Sequence, residues 1–241
     1  MKNTIKFILQ KLLGYNRYLF IFSKYKIKTL KNDKKEGDFF LFMEQIKSEG
    51  LILDIGANIG IMTYHLAKQF SDRKIISIEP MPNNLLVLNQ IISEFKLTNV
   101  EVKAIALGEK AETIEMVLPL NGKVKMQGLA HVVHESISEW NDGDKINVTC
   151  ETLDNILTNQ TIAGIKMDIE NFEYFALKGG QKLIENSKPV IYLELWENEN
   201  RINCFNFLTQ IGYSAFVNVN NNLIPFDKEK HIKQNFIFKI N

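Results

Sequence analysis

The feature that most constrains the fold is a glycine turn between an apolar run and a helical pattern. Residues 51–60 read Leu-Ile-Leu-Asp-Ile-Gly-Ala-Asn-Ile-Gly. The apolar run is typical of a buried parallel strand, and Gly56 and Gly60 bracket a tight turn whose backbone can approach a ligand. A second apolar run, residues 75–78, ends in Glu79. Because an acid in that place accepts hydrogen bonds from ribose hydroxyls, the two elements predict a site for an adenosine-containing cofactor.

The residues of the turn distinguish between such cofactors. The dinucleotide fingerprint G-x-G-x-x-G has a second glycine where this chain has Asn58, and that glycine lets a pyrophosphate come close. Asp54 would repel a pyrophosphate and attract the ammonium group of a methionine moiety. The sequence therefore favours S-adenosylmethionine over NAD or FAD, and a purely structural glycine turn is the remaining alternative. The candidate cofactor-binding residues are Asp54, Gly56, Ala57, Asn58, Gly60, Thr63, Glu79, Pro80, Asn84 and Ala106.

Several segments together resemble the FkbM family of S-adenosylmethionine-dependent methyltransferases over about residues 51–195. They are Leu53-Asp-Ile-Gly-Ala-Asn-Ile-Gly60, Ile78-Glu-Pro-Met-Pro-Asn-Asn84, Ala106-Leu-Gly108, Thr152-Leu-Asp154, Ile165-Lys-Met-Asp-Ile-Glu-Asn-Phe-Glu173 and Ala176-Leu-Lys-Gly-Gly180. The Lys-x-Asp-x-Glu segment is the most distinguishing, because most class I methyltransferases share the glycine turn. The resemblance implies a class I Rossmann-like fold and O-methylation of a sugar or natural-product hydroxyl. Where the family usually has glycine after that Glu, this chain has Asn171, which tolerates the left-handed conformation.

The hydrophobic pattern predicts an α/β fold, a mostly parallel seven-stranded sheet with helices on both faces. Strands are predicted near 51–55, 75–79, 100–104, 165–169, 190–195, 214–219 and 234–240, and helices near 61–69, 82–96, 173–186 and 199–211. The resemblance implies that the last strand is antiparallel. The alternation fails near 108–151, where extra strands at 113–118 and 145–151 indicate a β insertion. The long loop between them, 119–144, is of a length that is usually functional or mobile.

Residues 1–46 are predicted to form a basic, apolar helical extension ahead of a methyltransferase domain at 47–241. Residues 1–35 hold ten Lys or Arg and one acid, a charge of +9, so that the remainder of a chain of net charge +1 carries −8. The apolar stripe of the extension predicts packing against its own domain or a second subunit of a homodimer. A peripheral contact with a membrane and a groove for a phosphorylated substrate are alternatives. The residues expected to be buried are Phe7, Leu12 and Phe20.

Composition excludes several classes of protein. A net charge of +1 and the absence of a basic, aromatic-interleaved stripe argue against a nucleic-acid partner. The two cysteines, Cys150 and Cys204, lack the spacing of a metal site. No apolar run reaches about 18 residues, and no signal-peptide pattern is present. We therefore expect a cytoplasmic protein, with a peripheral position at the inner membrane face as the alternative.

Acids that follow two further strands are candidate catalytic residues, because ligands of α/β sheets bind beyond the carboxyl ends of the strands. Asp168 and Glu170 follow one strand, and Glu194 ends another. Crowded carboxylates need protons, a cation or a metal, which makes Asp168 and Glu194 candidate ligands of Mg or Mn. Capping of the next helix by Glu170 is the alternative. Methyl transfer to a hydroxyl also needs a base, and the catalytic candidates are Asp168, His131, His134, Glu170 and Glu194.

We therefore expect an S-adenosylmethionine-dependent O-methyltransferase. The resemblance implies a small-molecule or glycan acceptor, such as a nucleotide-sugar used in surface polysaccharide biosynthesis. Methylation of a lipid, an amine or a secondary metabolite is one alternative. A catalytically silent scaffold that binds the cofactor is another, but such a protein would keep Gly56, Gly60 and Glu79 and lose the acids of the fourth strand, which are present here.

Overall fold

The computed structural model describes residues 2–122, 124–137 and 140–240, which form helices packed around two β-sheets. The strands are β1 Leu51–Ile55, β2 Ile75–Ile78, β3 Val100–Lys103, β4 Ala106–Leu107, β5 Glu112–Asn121, β6 Val124–Lys125, β7 His131–Val132, β8 Gly143–Glu151, β9 Ile162–Met167, β10 Val190–Glu194, β11 Tyr213–Val219, β12 Asn222–Pro225 and β13 Asn235–Ile240. The α-helices are α1 Lys2–Leu13, α2 Tyr15–Thr29, α3 Gly37–Gln45, α4 Ile61–Gln69, α5 Pro82–Glu94, α6 Leu153–Ile156, α7 Glu173–Lys178, α8 Gln181–Ser187 and α9 Glu199–Gln210.

The larger sheet has eight strands in the order β12-β11-β13-β10-β9-β1-β2-β3. Strands β3, β2, β1, β9 and β10 run parallel, and β13 is antiparallel to both β10 and β11. The predicted α/β class is thereby confirmed, with one strand more than the sequence analysis predicts. The extra strand, β12, forms a hairpin with β11 through Asn220 and Asn221, whose φ angles are 53° and 62°. Two left-handed residues favour a two-residue hairpin turn, so this polar segment forms a hairpin.

The centre of the sheet is buried because helices cover both of its faces. Along β1, Leu53 and Ile55 contribute to the apolar cluster on one face, and Ile52 contributes to the cluster on the other. This alternation is the period-two pattern of a strand. Since both faces are apolar, the run reads as almost continuously hydrophobic.

The predicted β insertion is present as a second sheet. Strands β5 and β8 pair antiparallel from Glu112 opposite Cys150 to Pro119 opposite Gly143, close to the extra strands expected from the sequence. Between them lie the short strands β6 and β7 and a 3₁₀ turn at Gln127–Leu129. This turn brings Gln127 to the carboxyl edge of the main sheet.

The helices α1 and α2 pack against the rest of the chain along one side. Leu19 and Ile27 of α2 lie in a buried apolar cluster with Val87 of α5, and the Ser23 hydroxyl donates a hydrogen bond to the Ile59 carbonyl oxygen at 2.8 Å. The expectation that Leu12 is buried is wrong, because 76% of this residue is exposed. None of the helices in the described ranges is both long and apolar enough to span a membrane. The division into domains after residue 46 stays a prediction.

The other two side chains expected to be buried in this segment are partly covered. Phe7 and Phe20 are both half-buried. The apolar stripe is therefore only partly buried. Some of its side chains pack against the rest of the chain, and others face water.

Candidate functional site

A cleft lies beyond the carboxyl ends of β1, β2 and β9. Its walls come from the glycine turn after β1, the segment after β2, the segment after β9 and the insertion. This is the edge at which α/β folds bind their ligands. Among the predicted site residues, the cleft is lined by Gly56, Asn58, Glu79, Pro80, Asn84, Ala106, Asp168 and Glu170.

The glycine turn has the left-handed residues that the sequence predicts. The φ angles of Gly56, Asn58 and Gly60 are 73°, 49° and 81°. A Cβ added at Gly56 would overlap the backbone carbonyl oxygen of Asp168, and one at Gly60 would lie 2.9 Å from the Leu88 side chain. Glycine is therefore required at position 56 because the backbone at the end of β9 comes so close, whether or not a ligand also approaches this turn.

Glu79 fixes the junction between this turn and helix α5. Its side chain is buried, and its Oε2 accepts a hydrogen bond from the Asn58 backbone N–H at 2.8 Å. Its Oε1 accepts from the Met81 backbone N–H at 2.9 Å and from Asn84 Nδ2 at 3.2 Å. Burial raises the pKa of Glu79, and these donors oppose the shift. A carboxylate has about four acceptor positions, so one position remains after these three bonds.

Asp54 lies beneath the turn and is fully buried. Thr63 Oγ1 donates a hydrogen bond to Asp54 Oδ2 at 2.6 Å, and Lys166 Nζ lies 3.3 Å from Asp54 Oδ1. Lys166 also donates to the carbonyl oxygen of Gly56 at 2.9 Å. In this arrangement Asp54 and Thr63 support the turn from below, and a contact between Asp54 and a ligand ammonium group stays a prediction.

A second cleft adjoins the first and shares Gly56, Asn58 and Asp168 with it. Helix α2 lines it with Phe22 and Lys26. Its other walls include Leu30, Glu36, Ala57, Ile61, Met62 and Lys166. The sequence predicts no role for Phe22, Lys26 or Met62, because periodicity identifies an apolar stripe without showing what it faces.

The acids after β9 and at the end of β10 all have raised pKa values, and the charge of Asp168 contributes to the shifts of Glu170 and Glu194. Asp168 is half-buried, and burial raises the pKa of its carboxyl while Lys166 opposes the shift. Burial and the charge of Asp168 raise the pKa of Glu170 to about 10. The charge of Asp168 and burial raise the pKa of Glu194 to about 7. Glu194 lies in a separate cleft with Glu36 and Arg201, so Asp168 is the predicted catalytic acid that lines both main clefts.

The predicted metal site remains a prediction. Within the described ranges, no group of three or more His, Cys, Asp or Glu side chains is arranged to hold a metal ion. The carboxylates of Asp168 and Glu194 instead have the ammonium group of Lys166 as a neighbouring cation.

The loop after β9 is held by hydrogen bonds of Glu173 and Asn171. Glu173 is buried and accepts hydrogen bonds from the Ile169 backbone N–H at 3.0 Å and from Asn200 Nδ2 at 2.8 Å. Burial raises its pKa to about 7. Asn171 has a φ of 76°, and its Oδ1 accepts a hydrogen bond from Asn198 at 2.8 Å. Asn171 therefore adopts the conformation for which the family's glycine is suited.

The two candidate histidines lie in the insertion and outside both clefts. His131 is buried, with Nδ1 2.8 Å from the Leu129 carbonyl oxygen and Nε2 3.2 Å from Asn141 Oδ1. His134 Nδ1 lies 2.7 Å from Ser136 Oγ, and its ring packs 5.7 Å from the ring of Phe172, a residue of the first cleft. Both ring nitrogens of His131 are thus engaged by partners within the insertion. For His131 to act as the predicted base, one of these two contacts would have to break.

Two amide oxygens at the clefts are available for a ligand. Asn58 Oδ1 and Gln127 Oε1 are buried, and neither has a hydrogen-bond partner among the described residues. Both residues line both clefts. Buried polar atoms are nearly always satisfied, so these two oxygens indicate where a donor from a bound molecule belongs. The sequence predicts Asn58 as a site residue but not Gln127, whose only signal is its place in a long loop with glycines.

The comparison with protein families gives one match. The profile of the FkbM methyltransferase domain matches residues 54–225. This stretch begins at the acid before the glycine turn and ends in β12, and it covers more than half of the chain. No curated protein sequence matches the chain.

Comparison with solved structures finds the same fold. The crystal structure of the methyltransferase FkbM from Methylobacillus flagellatus has a TM-score of 0.57 at 16% identity, and the match covers 99% of this chain and 59% of that one. This chain therefore spans less than two thirds of that protein. An O-methyltransferase from Thermotoga maritima has a TM-score of 0.46 at 13% identity, covering 89% of this chain and 71% of that one. A methyltransferase from Streptococcus mutans, described as putative and solved with S-adenosylhomocysteine, has a TM-score of 0.47 at 9% identity. The match covers 83% of this chain and 94% of that one.

Proposed function

The chain belongs to the FkbM methyltransferase family, and from that premise we propose that it transfers the methyl group of S-adenosylmethionine to a hydroxyl of a sugar. The acceptor would be a nucleotide-sugar or a glycan, the class that the family resemblance implies. The observation that carries the proposal is the meeting of two clefts at Asp168. One cleft would hold the cofactor, and the other would admit the acceptor to the same carboxylate.

The first cleft fits S-adenosylmethionine in its chemistry. Glu79 would accept a hydrogen bond from a ribose hydroxyl, and Ala106 and Leu107 offer an apolar wall to the adenine ring. The free amide oxygens of Asn58 and Gln127 would accept hydrogen bonds from the ammonium group. When bound, the cofactor would supply a methyl group activated by its sulfonium charge.

The second cleft supports the choice of an oxygen acceptor. Asp168 lines it, and a carboxylate with a raised pKa is a stronger base for a hydroxyl proton. Phe22 and Met62 present an apolar wall, whereas Lys26 and Glu36 present polar groups. A sugar has an apolar ring face and hydroxyl edges, which fits this mixture. Asp168 would orient the acceptor hydroxyl and take up its proton as the methyl group is transferred.

Calorimetry and product analysis test the proposal in two steps. The protein should bind S-adenosylhomocysteine and show no binding of NAD. Incubation with S-adenosylmethionine and a panel of nucleotide-sugars should give a product heavier by one methyl group, which nuclear magnetic resonance should place on oxygen. Failure to bind S-adenosylhomocysteine would contradict the cofactor assignment, and a methyl group on nitrogen or carbon would contradict the acceptor class.

A further inference from the structure

The outward face of the first two helices carries an unusual concentration of apolar side chains. Of the nine large hydrophobic residues that are exposed among the described residues, five lie on α1 and α2. Single exposed apolar residues are normal, whereas contiguous groups mark interaction surfaces. The five are Ile8, Leu9, Leu12, Ile21 and Tyr25.

On α2 two of these side chains lie between two basic ones along a single stripe. Arg17, Ile21, Tyr25 and Lys28 are all exposed. Their spacing of four, four and three residues places them on the same face of the helix. On α1, Lys11 is exposed between the apolar positions on either side of it. We call this combined surface of α1 and α2 the outer face.

The outer face is distinct from the surface that packs against the fold. Leu19 and Ile27 point inward into a buried cluster, and Phe22 and Lys26 line the second cleft. Changes on the outer face therefore leave both the packing of α2 and the clefts in place.

The charge of the outer face has one sign. Asp33 is the only acid in residues 1–35, and its carboxylate accepts a hydrogen bond from Lys26 at 2.9 Å. Within the part of the chain that the structure describes, Lys11, Arg17 and Lys28 form no ion pair with an acid. Three basic side chains and five apolar ones are thus exposed on two helices that contain no acid.

We propose that the outer face docks on an anionic lipid bilayer, with α1 and α2 lying in the plane of the interface. Helices that bind there combine apolar side chains, which insert between headgroups, with Lys and Arg, which contact anionic lipids. Stable binding needs both contributions, and the outer face supplies both.

Other occupants fit the outer face less well. A second copy related by two-fold symmetry would use the same surface. Arg17 and Lys28 would then face a partner surface that is also positively charged, and the two would repel each other. A nucleic acid would neutralise those charges but would leave Leu12 and Ile21 in water. A bilayer accommodates the basic and apolar groups together.

Sedimentation with vesicles tests the proposal on the full chain. The protein should sediment with vesicles of phosphatidylcholine and phosphatidylglycerol, remain in solution with phosphatidylcholine alone, and dissociate as salt is added. The double variant Arg17→Gln/Lys28→Gln should partition about thirty-fold less. The double variant Leu12→Gln/Ile21→Gln should lose about tenfold or more, because it removes the inserted apolar groups.

Matched variants elsewhere on the surface serve as controls. Ile202→Gln/Ile232→Gln changes two exposed apolar residues outside the outer face, and Lys47→Gln/Lys228→Gln changes two exposed lysines. Both should bind vesicles as the wild type does, and all four variants should keep its melting temperature. Equal binding to neutral and anionic vesicles, equal losses in the control variants, or a dimer that the outer-face variants convert to monomers without any vesicle binding would overturn the proposal.

Discussion

Lys166 of β9 lies directly opposite Asp54 of β1 in the parallel register, and their side chains form a buried ion pair with 3.3 Å between Nζ and Oδ1. Burial lowers the pKa of Lys166, but the charges of Asp54 and Asp168 raise it by more. Lys166 therefore stays charged. Its ammonium group pairs with Asp54, which supports the glycine turn, and also acts on the carboxylate of Asp168, which lines both clefts.

Removing this lysine should destabilise the fold. Lys166→Met leaves Asp54 buried without its cation, which should lower the free energy of unfolding in urea by about 3–5 kcal/mol. Lys74→Met is the matched control, because Lys74 pairs with Glu101 at the surface and such a pair contributes about 0–1 kcal/mol. Adding Asp54→Asn to Lys166→Met should recover part of the loss. Equal losses in Lys166→Met and Lys74→Met would show that the buried pair has no special role.

Two glycines at the clefts should respond differently to alanine. Gly56 has a φ of 73°, and a Cβ there would overlap the Asp168 carbonyl oxygen, whereas a Cβ at Gly128 would meet nothing within 4 Å. Gly56→Ala should therefore lower the free energy of unfolding by about 2 kcal/mol or more. Gly128→Ala should change it by less than about 1 kcal/mol. Thermal unfolding of the two variants makes the comparison, and similar stabilities would contradict the predicted overlap.

The elements nearest in sequence to the glycine turn are the ones that sequence reasoning predicts well. The apolar run at 51–55, the turn at Gly56 and Gly60, and the strand before Glu79 all appear at the predicted positions. Each is specified locally, by a run of apolar residues or by a glycine. Local signals also identify the two strands of the insertion.

Contacts between distant segments are what the sequence does not specify. Gln127 reaches the clefts because the insertion folds back over the sheet, and nothing in its neighbours predicts that approach. The pairing of Lys166 with Asp54 depends on the register of two strands far apart in the chain. Periodicity likewise detects the apolar stripe of α1 without showing that Leu12 faces water.

Glu79 should be required for cofactor affinity. Glu79→Gln keeps the shape of the side chain but removes the charge that would bind the ribose hydroxyl. Calorimetry should show S-adenosylhomocysteine bound about tenfold to a hundredfold more weakly, from a loss of about 1.5–3 kcal/mol. Glu101→Gln, on the adjacent strand β3, should bind as the wild type does. An unchanged dissociation constant for Glu79→Gln would contradict the assignment of Glu79 to the ribose.

The raised pKa of Glu194 should make stability depend on pH. The pKa of Glu194 rises from 4.5 to about 7 in the folded protein, so the folded state holds more protons than the unfolded state between these values. The stability contributed by this group is therefore present below its unfolded pKa and is lost as the pH rises through about 7. Urea unfolding should give a free energy lower at pH 8 than at pH 5 by about 1–3 kcal/mol.

The variant Glu194→Gln should reduce this decrease, because it removes one group that titrates in the interval. Glu44→Gln removes an exposed acid of α3 and should keep the pH dependence of the wild type. If Glu194→Gln retained the full decrease, other carboxyls would be responsible for it.

Asp168 should matter for turnover more than for cofactor binding. Asp168→Asn keeps the size of the side chain but cannot accept a hydroxyl proton, so turnover should fall about 100-fold or more. The affinity for S-adenosylhomocysteine should change little, because Glu79 and the glycine turn remain. A chelator separates the two roles predicted for this carboxylate: lost activity that Mg or Mn restores would support a metal ligand, whereas full activity in chelator would leave Asp168 as the base. Full turnover by Asp168→Asn would exclude it from both roles, since neither a proton nor a metal would then depend on its charge.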